Sequence, residues 1–205
     1  AAHATADAAN ALVALDVTIS DGVGAHTATA KDKVQWVKLP DTPGAADPSF
    51  DDAQVTAWVT STAQSTNEDP VAGVKNVNAS GQVVSVAKEG RNGWSVNNAD
   101  TVAQAVTAAL AQNHSYSGTF DYDKVEPTYT TRQIANGAEN LVYQAADGEK
   151  WIDVNLSNYK VTAYEGATVV GGPFSMVPGA PDTPTVTGTY HVYLKYDKRT
   201  MRGKN

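Results

Sequence analysis

The feature that most constrains this chain is a single change of hydrophobic period. Up to about Ala146, stretches with apolar residues three and four apart alternate with stretches where every second residue is apolar. After Lys150 only the two-residue period remains. The first pattern belongs to helices lying on a sheet, the second to strands alone. The expected class is therefore α+β. An N-terminal α+β domain, a small antiparallel sheet with two or three helices on one face, spans residues 1–145. A mostly β part spans residues 146–205.

Within the first part, residues 1–10 suit a helix. Val13, Leu15, Val17 and Ile19 then alternate with Ala14, Asp16 and Thr18, as a half-buried strand would. Asp21-Gly22 supplies a turn. A short helix follows in "TATAKDKVQWVKLP", with Thr27 or Thr29 as cap and Pro40 as its limit. Asp51 or Asp52 caps a second helix, whose Val55, Trp58, Val59 and Ala63 share a face. The stretch "KNVNASGQVVSVAKEGRNGWSV" reads as a three-strand meander with turns at Ser80-Gly81 and Arg91-Asn92-Gly93. The strongest helical pattern is "NNADTVAQAVTAALAQN", with Val102, Ala105, Val106, Ala109 and Leu110 on one side. "YSGTFDYDKVEPTYT" returns as strand. In the second part, Ile152, Val154 and Leu156 share a face, as do Tyr159, Val161 and Ala163. "TYHVYLKY" predicts a strand with Tyr190, Val192, Leu194 and Tyr196 aligned.

Composition narrows the partners. At 41% hydrophobic and 18% charged, 205 residues bury a core. The net charge of −7 repels nucleic acid and anionic lipid. No apolar run is long enough to span a membrane. There is no cysteine, hence no disulfide, thiolate metal site or cysteine nucleophile in this stretch. No cofactor and no metal are expected.

The remaining chemistry-bearing residues read mostly as structure. His114-Ser115 lacks the surroundings of a nucleophile and base. His3 and His26 have no metal-ligand spacing. Asp121 and Asp123 share a strand face without a third ligand for a cation. Of the four tryptophans, Trp36 and Trp58 fall on apolar helix faces and belong to a core, whereas Trp94, after the Gly93 turn, is expected at the surface.

Three further stretches, taken in order, resemble the start of a known catalytic domain. They are Trp151-Ile152-Asp153-Val154-Asn155-Leu156-Ser157-Asn158, then Thr183-Pro184-Thr185 with Thr187-Gly188-Thr189-Tyr190, then Met201-Arg202-Gly203. Together they are similar to the opening of the YkuD-type L,D-transpeptidase domain, and residues 1–145 resemble the peptidoglycan-binding domain that often precedes it in Gram-positive bacteria. The resemblance implies a cell-wall enzyme of the extracellular surface that makes 3→3 peptidoglycan cross-links through a cysteine acyl-enzyme. Its partners are the stem peptides and glycan of the wall. The family's catalytic histidine and Ser-His-Gly-Cys stretch fall downstream of this segment, so both ends are expected to be cut and the chain to be inactive alone. Met201 is expected on a flap over the cleft, or filling a core gap. His191 and Tyr193 are expected at the cleft wall, with His191 otherwise a partly exposed strand histidine. A sheet stopped after residue 196 would leave an open edge. That edge is expected to retain a C-terminal fragment, to pair with a second copy, or to leave residues 150–205 mobile. The alternative reading is a non-enzymatic cell-surface binding or adhesion module.

Overall fold

The computed structural model describes residues 2–42, 44–198 and 200. The fold is α+β, and the chain forms two compact units. The first holds Val77 and the residues before it together with Gln82–Arg132. The second holds Asn78–Gly81 and the chain from Gln133 on.

The chain begins with helix α1 (Ala2–Val13), then strands β1 (Val17–Ser20) and β2 (Ala25–Thr27). The expected strand from Val13 is shorter than its alternation suggests, because α1 runs through Val13 and Leu15 closes the helix by bonding Leu12. Helix α2 (Ala30–Trp36) starts where Thr29 and Asp32 satisfy each other's backbone N–H groups, a reciprocal capping box. It ends at Trp36, before Pro40 is reached. The chain then pairs β3 (Val37–Lys38) with β4 (Ser49–Phe50). Asp51 accepts from the Ala53 N–H at 3.0 Å and starts helix α3 (Asp52–Thr66). Lys38, 3.0 Å from the same carboxylate, holds its pKa below the usual value, with the helix N–H groups adding to the effect.

Strands β5 (Gly73–Val77) and β6 (Val83–Lys88) form a hairpin, but β7 (Gly93–Val96) leaves it. β7 instead pairs with β9 (Tyr122–Val125), so the expected three-strand meander is only a two-strand one. The reason lies in two bridges, Val71↔Arg91 and Glu68↔Trp94, which draw β7 against the chain leaving α3. Gly93 permits this approach, since a Cβ there would lie 2.3 Å from the Glu68 carbonyl oxygen.

Helix α4 (Ala99–Ala111) starts at Asn98, yet the Asn98 side chain does not cap it. It accepts from the Asp121 N–H at 3.0 Å and donates to the Thr119 carbonyl at 3.2 Å, tying the helix start to the turn between β8 (Tyr116–Thr119) and β9. Asn113, with φ 58°, turns the chain out of α4 and into β8. β8 lies parallel to β1, where antiparallel pairing was expected of the first part. A parallel neighbour needs a long crossover, and the helices between these strands provide it.

The core of the first unit is the meeting of β1, α3 and α4. Val17, Ile19, Val55, Val59, Val106 and Leu110 are fully enclosed. Trp36 is 3% exposed, edge-on to Trp58 at 5.5 Å and to Phe50 at 6.5 Å. Lys33 is buried too, its Nζ donating to the Leu15 carbonyl at 2.7 Å beyond the end of α1.

β10 (Tyr129–Gln133) lies beside β5. In the second unit β11 (Lys150–Asn155), β12 (Lys160–Glu165) and β13 (Thr168–Ser175) form an antiparallel sheet in sequence order. Asn155 closes the first turn by accepting from the N–H groups of Ser157 and Asn158. One face is covered by residues 134–149: Trp151 stacks on Tyr164 at 4.2 Å, Tyr143 meets it edge-on, and its indole N–H donates to the Gly166 carbonyl at 2.9 Å. The opposite face is bare, with Ile152 63%, Val154 47% and Phe174 62% exposed.

The expected strand 189–196 does not form. No described residue from 176 to 198 is in a strand, and Tyr190, Val192, Leu194 and Tyr196 are exposed. Alternation alone does not make a strand; it needs the ladder of a neighbour, and none reaches this segment.

Two outcomes follow for stability. Leu110→Ala should lower the unfolding free energy of the first unit by about 2–5 kcal/mol in urea denaturation, while Ile152→Ala on the bare face should change that of the second by less than about 1 kcal/mol. In the β1–β2 turn, the Asp21 pKa is lowered to about 2, chiefly by the Gly24 N–H, then by His26 and the Val23 N–H. A depressed carboxylate stabilises the turn above its unfolded pKa, and that contribution is lost as pH falls through the folded value. A carboxyl NMR titration should therefore place Asp21 near 2. His26→Ala should raise it yet leave it below 3.8, because the backbone donors remain.

Candidate functional site

The residues that the sequence singled out do not converge on one site. His191 and Tyr193 lie in the segment without regular structure, both exposed and with no hydrogen bond among the described residues. Met201 lies outside the described residues, as do the Arg202 and Gly203 that follow it. Nearer the sheet, Thr183 donates through its N–H to the Ala180 carbonyl, and the Thr185 hydroxyl accepts from the Gly179 N–H at 2.8 Å, so the Thr-Pro-Thr motif closes a tight turn.

The polar residues with a bland reading have structural partners. His26 bonds Asp21 at 2.8 Å through Nε2. The Ser115 hydroxyl accepts from the Asp16 N–H at 2.9 Å, which occupies it as a strand-entry clamp. Asp121 and Asp123 accept from the side-chain amides of Asn98 and Asn97 at 3.0 and 2.7 Å. Among the described residues no three His, Cys, Asp or Glu side chains gather as a metal site would require. No described helix is long and apolar enough to cross a membrane.

Two surface features of the first unit remain. A shallow open depression of about 310 Å³ lies between α3 and α4, lined by Asp52, Thr56, Asp100, Ala103, Gln104 and Thr107. Its two carboxylates sit in the first turns of their helices, where the positive end of the helix dipole favours an acid whether or not a ligand binds. The second feature is Trp94. The other three tryptophans are packed against aromatic rings, but Trp94 is 43% exposed, and its indole N–H has no partner among the described residues. The sequence located it through the Gly93 turn; the neighbours that surround it come from distant segments and were not legible there.

The sequence matches no family model and no curated protein. Two solved structures are similar to the chain. One is a cysteine-to-serine mutant of the L,D-transpeptidase of Enterococcus faecium, at 19% identity and a TM-score of 0.38, over 90% of this chain and 65% of that one. The other is the avibactam carbamoyl form of the enzyme Ldtfm, at 19% identity and a TM-score of 0.38, over 91% of this chain and 65% of that one. The chain thus spans just under two thirds of the length of the structures it resembles.

Proposed function

We propose that this chain is part of a peptidoglycan L,D-transpeptidase. In this reading residues 1–145 are its wall-binding domain and residues 146–205 open its catalytic domain. The observation that carries the reading is the order of the sequence motifs after Lys150: the Trp151–Asn158 stretch, the Thr183-Pro184-Thr185 turn, then Thr187 to Tyr190. The geometry of the first motif supports it. Trp151 points to the covered face of the sheet and Asn155 closes the turn, so each has a physical task in a hairpin.

The chemistry of this family is acyl transfer. A cysteine thiolate attacks a stem-peptide carbonyl, a histidine serves as base, and backbone donors hold the oxyanion. The peptide C–N bond breaks and its amine leaves with a proton from the histidine, giving a thioester; an amine of a second stem then takes the acyl group, the C–S bond breaks, the thiol is regenerated and the 3→3 cross-link is complete. These 205 residues hold no cysteine, so in this reading they do not supply the nucleophile. Met201, His191 and Tyr193 are the positions we assign to the flap and cleft wall of the catalytic domain. The site of action is the outer surface of a Gram-positive bacterium, at the cell wall. A non-enzymatic cell-surface binding or adhesion module is the second reading, favoured by the exposed and unstacked Trp94.

Intact-mass measurement after incubation with a carbapenem tests the proposal. The 205-residue chain should gain no mass, and a parent chain extended through a cysteine motif should gain one carbapenem. An adduct on the 205-residue chain, or no adduct on the extended one, overturns it.

A further inference from the structure

We propose that Trp94, with Glu68 and Lys124 on either side, forms a subsite for an N-acetylated hexosamine of a glycan chain. The proposal rests on the wall-acting reading above and names the polymer part that the first unit holds.

The geometry comes from three segments far apart in sequence. β7 pairs on one side with β9, which sets Trp94 opposite Lys124. On its other side Trp94 exchanges both backbone hydrogen bonds with Glu68, each 2.8 Å. Residues directly opposite in antiparallel pairs project from the same face. Glu68, Trp94 and Lys124 therefore form a row across β7, β9 and the bridged segment at Glu68, an aromatic ring between a carboxylate and an ammonium group. Lys124 is further paired with Glu126, just beyond the end of β9. Gly93 sets the row by letting the Glu68–Pro70 backbone close against β7.

The chemistry of the row fits a sugar better than other ligands. A pyranose ring has an apolar face of C–H groups and a rim of hydroxyl and acetamido groups. An exposed indole offers a flat apolar surface and one free N–H donor. The carboxylate accepts from hydroxyl or amide N–H groups, and the ammonium donates to hydroxyl or acetyl oxygens. Both signs of charge are present, so the patch does not select a charged ligand. A nucleic acid or anionic lipid would meet a chain of net charge −7. One ring interleaved with charges is also not the contiguous apolar patch that a protein partner or a bilayer surface requires.

The test uses the full 205-residue chain labelled with 15N. Four tryptophans give four indole N–H resonances, and Trp94→Phe assigns one of them by its disappearance. On titration with an N-acetylglucosamine tetrasaccharide, the Trp94 resonance should move saturably, with an affinity of about 1 mM or better, while the other three stay in place. Trp94→Ala should weaken binding by at least about tenfold, measured on backbone resonances of β7 and β9. The double variant Glu68→Ala with Lys124→Ala keeps the ring and removes the rim groups; it should weaken binding by about fivefold. All the substituted side chains are exposed, and unchanged spectral dispersion elsewhere verifies the fold. The proposal is overturned if the Trp94 resonance is still at about 10 mM sugar, if another indole moves instead, or if the double variant binds as well as the parent. Carbapenem labelling of the extended chain is independent of Trp94. Loss of sugar binding with labelling retained therefore sinks the subsite alone, and loss of labelling sinks the enzyme reading.

Discussion

Each unit of this protein is organised around one tryptophan packed against two other aromatic rings. In the first, Trp36 links α2 to α3 through Trp58 and to β4 through Phe50. In the second, Trp151 takes Tyr164 on its face, Tyr143 on its edge and the Gly166 carbonyl on its N–H. A buried indole carries a large apolar area and one donor that must be satisfied. Satisfying both conditions fixes what packs where. Trp151 decides which face of the β11–β13 sheet is covered, and so leaves the Ile152 and Val154 face open. Trp94 follows the opposite rule. Its strand is held by backbone pairing, by the Asn67 side chain on the Val96 N–H and by Val96 against the core, while its ring meets solvent.

The sequence was most informative where local chemistry decides the outcome. Thr29 and Asp51 start their helices as their side chains suggest, and Val55, Val59, Val106 and Leu110 occupy the core as their spacing suggests. It was least informative where the partner lies far along the chain. Nothing near Asn98 shows that its side chain serves a turn more than twenty residues on. Nothing near Gly93 shows that β7 leaves the preceding hairpin for β9. The alternation in 189–196 is present, but alternation specifies a face and not a neighbour. Ile152 and Val154 share a face as expected, yet periodicity does not say which of two faces the loop 134–149 will cover.

The candidate site divides in the same way. Trp94 was legible as a surface residue because a glycine turn precedes it. Its flanking Glu68 and Lys124 were not, since only the tertiary pairing brings them into one row. The stretch Trp151–Asn158 was legible as a hairpin, and it folds as one, with defined tasks for Trp151 and Asn155. For Met201, His191 and Tyr193 the cleft roles come from the resemblance and not from any pattern in the residues themselves.

In the proposed reading the chain holds the bacterial wall through the uncharged chemistry of its polymer, not through net charge. Cosedimentation of the 205-residue chain with purified sacculi measures this most directly. The account predicts that the protein pellets with the sacculi at both low and high salt, because stacking and hydrogen bonding are little screened while long-range charge attraction is. Protein that stays in the supernatant at low salt, or that is released when salt is raised, would contradict it.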